Sequence, residues 1–600
     1  MENLIKILEN ELRRAFSGAG YDEGYARVVA SNRPDLCEFQ CNGAMAAAKQ
    51  YHKAPIMIAK DVIAALSENN NTAENAVFGK AEAVNPGFIN LDVSPAFLAG
   101  YLMQMASDPR TGITQAESPR KIIIDYGGPN VAKPLHVGHL RSAIIGECLK
   151  RLGRALGHEV IGDVHLGDWG LQMGLLITEM QERRPDHPYF DESYDGEYPE
   201  EPPFTLSELE EMYPAASARS KTDEEYREKA LAATQALQAG RRGYRAFWKH
   251  IVTVSVADLK ANYENLNVHF DLWKGEADVQ PYIPDMIADF EARGIAHADQ
   301  GALIVDVAEE SDTKEIPPCI VRKSDGAALY ATTDLATILE RQMLYAPDEL
   351  IYLTDKRQEM HFVQVFRVAK KADLVPEHVK LRHLGFGTMN GKDGKPFKTR
   401  EGGVMRLEYL IRDINEEMER KILENRNVRE EDAEETARIV GLAALKYGDL
   451  SNQATKDYIF DIEKFTSFEG NTGPYILYTI VRIKSILEKY ENETAGKGET
   501  GRTAGEEILP PKSAAEKKLM LSLTGFGEVL AGAFEDLMPH RICQFIYELA
   551  NAFNSFYHET KILAEEDAVQ QASWIALLRL VKNVMEKGID ILGFEAPEHM

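Results

Sequence analysis

The stretch KIIIDYGGPNVAKPLHVGHLRSAIIGECLKRL, Lys121 to Leu152, decides how the chain reads. Lys121 to Tyr126 is a short apolar run suited to a buried strand, and Gly127-Gly128-Pro129 ends it. After Gly138, apolar residues recur at helical spacing: Leu140, Ile144, Cys148 and Leu152, with Ile145 and Leu149 beside them. A strand, a glycine-rich turn and a helix are how α/β proteins bring a helix N-terminus to a phosphate. His136 and His139 fall on that turn, where two imidazoles can both donate to a polyphosphate. Gly138 lets a flat nucleobase approach without a Cβ in the way, and the helix-terminal N–H groups add a favourable field for an anion.

The chain of 600 residues is too long for one hydrophobic core. At ~150 residues per domain it divides into about three to five. At 44% hydrophobic and 27% charged, the composition is that of a soluble globular protein. No apolar run approaches the ~20 residues of a membrane helix. The N-terminus, with Leu4, Leu8, Leu12 and Phe16 on one helical face, lacks the form of a signal peptide. Cys37, Cys41, Cys148, Cys319 and Cys543 are odd in number and scattered, which suits a reducing compartment and packing roles rather than disulfides or zinc. The cytoplasm is the expected location. A formal charge of −27 does not exclude RNA, because net charge governs solubility and steering while confined basic patches do the binding.

Outward from the central stretch, residues 1–115 read as a small α+β domain, in which Asn85-Pro86-Gly87 marks a turn before a strand at Phe88 to Leu91. Ser107 to Lys121 reads as a linker. A catalytic α/β domain is expected over 116–465, with further strands at His158 to Val164, Ala302 to Val305 and Leu350 to Leu353. An insertion is expected at about 182–290, and its acidic, Tyr- and Pro-rich part to about 230 as a largely exposed, solvated segment. Residues 466–600 read as all-helical: Ile476, Ile480, Ile483 and Leu487 trace one face, and Phe545, Leu549, Phe553 and Phe556 another. ENETAGKGETGRTAGEE between them reads as a hydrophilic loop.

Over fourteen consecutive positions PNVAKPLHVGHLRS resembles the ATP-binding "HIGH" region of class I aminoacyl-tRNA synthetases in its arginyl version, and HLGDWGLQMG, His165 to Gly174, resembles a further block of that family. The resemblance implies a Rossmann-like catalytic core, an added N-terminal domain that contacts the tRNA elbow, and a helical anticodon-binding domain. In the last, SFEGNTGPYILYTIVRIKSIL and MPHRICQFIYELANAFNSFYHETKIL carry the likeness. Most of their aromatics read as core, while residues such as Tyr547 and Tyr557 are candidates to stack on anticodon bases. The implied partners are ATP with Mg2+ held through its phosphates, L-arginine and tRNA-Arg. The expected state is a monomer with no dedicated metal ligands, and arginine activation is expected to need tRNA.

The resemblance also implies roles for individual residues. His136, Gly138 and His139 would bind ATP. The family's lysine loop, usually KMSKS, is replaced by GKDGKPFKTREGG, Gly391 to Gly403, so that Lys395, Lys398 and Thr399 are the candidates there. Lys133, just before the HIGH turn, would compensate for the departure, making Lys133 and Lys398 catalytic with His136 and His139. A guanidinium is planar with five donors and is best met by carboxylates and amide oxygens. Tyr330 and Asp334 resemble the family's Tyr-x-x-x-Asp element on a helix, Gln358 its substrate-touching glutamine, and Asp125 and Asn130 complete the arginine set. Gly127-Gly128 departs from the family's Ser-Ser or Ser-Ala, so any hydroxyl contact is missing. Another class I synthetase or nucleotidyltransferase, or an inactive paralogue that only binds tRNA, are the alternatives.

Overall fold

The computed structural model describes all residues except 71–75, 325–328, 396–405, 426–427 and 497–506, and the side chains of 69, 70, 425, 495 and 496. The chain forms two compact units: Met1–Ala116 with Phe468–Asp590 and Glu595–Met600, and Glu117–Ser467 with Ile591–Phe594.

In the first unit, helix α1 (Leu4–Gly18) buries the Leu4, Leu8, Leu12 and Phe16 stripe. Strands β1 (Val28–Ala30) and β2 (Phe39–Cys41) precede α2 (Gly43–Tyr51) and α3 (Pro55–Asn70). Then come β3 (Phe78–Val84), β4 (Phe88–Val93) and α4 (Pro95–Ser107). The sheet is antiparallel, in the order β1-β2-β4-β3. All five cysteines are buried and free. The C-terminal segment of this unit is helical, with Gly473–Gly496, Ala514–Thr524, Phe526–Glu535, His540–Glu559 and Ala568–Leu592 as its main helices. Both apolar faces read from the sequence are buried in it. The first helix runs as far as Gly496, so the start of the expected hydrophilic loop is helical; its residues 497–506 lie outside the described residues.

The second unit is built on β5 (Lys121–Asp125), α5 (Val137–Ala155), β6 (Glu159–Leu166), α6 (Leu171–Arg183), α7 (Leu206–Arg219), α8 (Glu224–Gln238), α9 (Arg242–Asn265) and β7 (Leu272–Gly275). It continues with α10 (Ile283–Ala292), β8 (His297–Asp299), β9 (Ala302–Val305), β10 (Cys319–Arg322), α11 (Tyr330–Tyr345), β11 (Glu349–Asp355), α12 (Glu359–Lys371) and β12 (Lys380–Phe386). The main sheet is parallel, in the order β12-β11-β5-β6-β7. Its central strand β5 is an unbroken apolar run because helices cover both faces; Ile122, Ile123 and Ile124 are fully buried. From β5 the order runs one way through β6 and β7 and the other through β11 and β12, so a crevice opens beyond the carboxyl ends of β5 and β11. The run at Ala302–Val305 belongs instead to a separate antiparallel sheet, β10-β9-β8.

The acidic stretch is not the open, solvated segment its composition suggests. Most of 206–238 is helical as α7 and α8. The Tyr/Pro loop before α7 buries Tyr189, Phe190 and Phe204, each ring packing against Phe247 of α9. Its few apolar residues suffice because α9 supplies the other half of the core.

Candidate active site

Beyond β5 the chain turns with Gly127 at φ +76, where a Cβ would come 2.8 Å from Phe270. At Gly128 a Cβ would stand 2.5 Å from the His165 carbonyl oxygen. Gly127 therefore follows from its left-handed backbone and the Phe270 ring, Gly128 from the His165 carbonyl, and any serine at 128 would first have to displace β6. Gly167 N–H donates to Pro129 O, and Val131 N–H to Gly167 O, both at 3.1 Å, lacing the turn to the end of β6. Asn130 lies opposite Gly167, where a Cβ would come 2.2 Å from the Asn130 amide oxygen.

His136 caps α5. Its Nδ1 accepts from the Gly138 N–H at 3.0 Å, and His139 Nδ1 accepts from the His136 N–H at 3.2 Å. The rings lie 3.9 Å apart between centroids. With both Nδ1 atoms accepting, the proton of each neutral ring sits on Nε2, leaving two N–H donors beside a helix N-terminus. Burial, and then Lys133 nearby, lower the His136 pKa; burial, His136 and Lys133 push His139 down to about 3. Both rings are neutral at pH 7, so the positive charge here is that of Lys133 and the helix N-terminus. Lys133 sits with its ammonium 4.7 Å from the centre of the Tyr213 ring.

On the other side of the crevice, α11 begins at Tyr330, which is 76% exposed. Asp334, one turn on, accepts from His361 Nε2 of α12 at 2.5 Å. The buried Arg341 of the same helix donates to Asp125 at 2.7 Å and to Asp163 at 2.6 Å. The Asp125 carboxylate thus already has a resident cation. Asp125 and Asp334 both bear on the buried Tyr352 hydroxyl, whose pKa burial raises most. Gln358 stands exposed in the short turn Lys356–Gln358 that follows β11. Lys395 closes a tight turn, its carbonyl accepting from the Gly391 N–H at 2.8 Å. Lys398 and Thr399 lie outside the described residues.

Three residues here escaped the sequence reading. Glu276 follows β7 without any motif around it; burial, and then Asp334, raise its carboxyl to about 7. The turn carrying it is held by Asp168, which accepts from the Ala277 N–H at 3.0 Å. His361 stands three residues after Gln358, in the stretch LTDKRQEMHF, Leu353 to Phe362. Arg341 lies seven residues after Asp334 on the same helix, and no motif marks it.

A parallel sheet with a strand–turn–helix unit at its switch point, histidines at the helix start and carboxylates across the crevice has the form of a class I synthetase catalytic domain. Residues 102–462 match the family described as "tRNA synthetases class I (R), catalytic domain", residues 476–600 the "DALR anticodon binding domain", and residues 2–93 the "Arginyl tRNA synthetase N terminal domain". The chain is 60% identical to an arginine–tRNA ligase of Agathobacter rectalis and 55% identical to one of Alkaliphilus oremlandii, each over the whole of both chains. Its fold is shared with the crystal structure of an arginyl-tRNA synthetase from Plasmodium falciparum, at a TM-score of 0.79 and 22% identity, covering 100% of this chain and 99% of that one. The chain belongs to the arginyl-tRNA synthetase family of class I. Its described residues include no helix long and apolar enough to cross a membrane.

Proposed function

We propose that this chain is an arginine–tRNA ligase: it activates L-arginine with ATP and passes the arginyl group to the 3' end of tRNA-Arg, releasing AMP and pyrophosphate. The observation that carries the reading is the neutral His136/His139 pair at the start of α5, facing a crevice whose far wall holds Asp334 and Glu276. The arginine carboxylate attacks the α-phosphorus of ATP. An oxygen–phosphorus bond forms as the bond to the bridging oxygen breaks, and pyrophosphate leaves. A hydroxyl of the terminal ribose then attacks the arginyl carbonyl, and AMP departs.

In this scheme His136 and His139 donate from Nε2 to the phosphates, Gly138 leaves room for adenine, and Lys133 neutralises charge on the departing pyrophosphate. Lys395, Lys398 and Thr399 belong to the second phosphate loop. No side chain forms a covalent intermediate, so positioning and charge stabilisation supply the rate. Asp334 and Glu276 receive the guanidinium, Tyr330 walls it, and Asn130 and Gln358 hold the α-amino end. Asp125 acts through its pair with Arg341. Lysine is rejected because a point charge leaves fork acceptors unpaired, which can cost 10⁴ or more in discrimination. Magnesium enters on the ATP phosphates; among the described residues no group of three or more His, Cys, Asp and Glu side chains is arranged to ligate an ion.

Function divides as elbow contact by 1–115, chemistry by 116–465 and anticodon contact by 466–600, in a cytoplasmic monomer. The decisive experiment is aminoacylation of tRNA-Arg with arginine, lysine or no amino acid, beside His139→Ala. Charging of arginine alone, lost in the variant, is expected; charging of another amino acid in its place would overturn the proposal. Binding of tRNA with no charging would favour the inactive paralogue.

A further inference from the structure

The acidic insertion contributes more to the catalytic unit than bulk. Helix α7 is fixed at its start by a reciprocal cap, Thr205 with Glu208. It is seated through Ala216 and Tyr213, which pack in a small core with Leu171 and Leu175 of α6 and Tyr226 and Ala230 of α8. One face of this helix then meets both chain segments that frame the ATP turn. The Tyr213 ring lies 4.7 Å from the Lys133 ammonium. Three residues earlier, and so on the same face, Glu210 accepts from Arg406 at 3.1 Å. Arg406 pairs in a β-bridge with His136, and Leu407 N–H donates to Leu135 O at 3.0 Å.

We infer that α7 is a positioning element of the ATP site, with Tyr213 holding Lys133 ready for the phosphates and Glu210 fastening Arg406 against the histidine turn. Among the described residues no carboxylate pairs with Lys133. The choice of an aromatic ring matters chemically. A carboxylate would neutralise the ammonium and compete with ATP, whereas a ring face orients the cation and leaves its charge available. A polyphosphate outbids the ring, so Lys133 is handed over when ATP binds. The inference rests on the assignment of Lys133 to the phosphates, and the test separates the two.

Adenylate formation is measured on the full chain with tRNA present, for Tyr213→Leu, Tyr213→Phe, Lys133→Ala and the Lys133→Ala/Tyr213→Leu double variant, each checked for an unchanged melting temperature. Loss of a cation–π contact should raise KM for ATP about 3- to 30-fold in Tyr213→Leu, with KM for arginine within about twofold of wild type. Tyr213→Phe, which keeps the ring, should restore ATP binding. The double variant should be no worse than Lys133→Ala, because one interaction is counted once. An unchanged KM for ATP in Tyr213→Leu, equal damage from Leu and Phe, or additive losses in the double variant would each overturn the inference and leave the Lys133 assignment standing. Wild-type adenylate formation by Lys133→Ala would overturn both.

Discussion

The two walls of the crevice hold their polar groups in opposite ways. On the side proposed for ATP the histidines are fixed by their own turn: His136 and His139 accept from backbone N–H groups two and three residues away, and both are neutral. On the side proposed for arginine the carboxylates are fixed by side-chain partners brought from afar. Asp334 takes His361, 27 residues on, and Asp125 takes Arg341, 216 residues on. The contrast has a chemical reason. A phosphate site needs donors that carry little charge of their own and are already oriented. A site for a cation must keep several carboxylates close together, and their repulsion has to be offset before the substrate arrives. Arg341 does this as a cation beside Asp125, His361 donates a ring N–H to Asp334, and Glu276, its carboxyl raised to about 7, carries only part of its charge near neutrality.

Three measurements would sharpen or break that contrast. The largest effect is expected for Arg341→Leu, which leaves the buried Asp163 and the partly buried Asp125 without their partner and should cost about 3–5 kcal/mol of stability, read from chemical denaturation of the full chain. A loss below about 1 kcal/mol would mean that Asp125 is not held by a structural cation. Next, His139→Ala should slow adenylate formation by about 10²–10³ and leave KM for arginine nearly unchanged. Because the His139 pKa is pushed down to about 3, the wild-type rate should show no step from this ring between pH 7 and pH 5. A step there that disappears in the variant would show that the ring titrates normally.

The smallest effect concerns Glu276. Its carboxyl, raised to about 7, gains a proton as pH falls through 7, and a protonated acid cannot pair with a guanidinium. KM for arginine should therefore rise as pH drops below 7, toward about tenfold per unit, or 1.4 kcal/mol. Glu276→Gln should flatten this dependence at a high KM. A wild-type KM that stays level from pH 8 to pH 5.5 would remove Glu276 from the guanidinium site.

The same contrast explains what could be read in advance. Contacts made within a few residues leave a pattern in the text, so the strand, turn and helix from Lys121 to Leu152 are where the sequence places them. The Tyr330/Asp334 pair does lie on one helix. The missing serines at 127 and 128 looked like a lost contact and turn out to reflect the space taken by Phe270 and the His165 carbonyl. The acidic segment misled because composition measures average solvation, while a few rings on one side of a loop decide whether it packs. Tyr189, Phe190 and Phe204 find Phe247, more than forty residues further on.

By itself the sequence determined the α/β class of the core, the glycine-rich turn between its first strand and helix, the helical C-terminal segment and the family to which the chain belongs, since each depends on local periodicity or contiguous wording. Only the tertiary structure decided that Asp125 and Asp334 are already paired and that Glu276 faces Asp334. It alone placed α7 beside Lys133. Those facts rest on electrostatics and burial between residues far apart in the chain, and neither property is written in any short stretch of it.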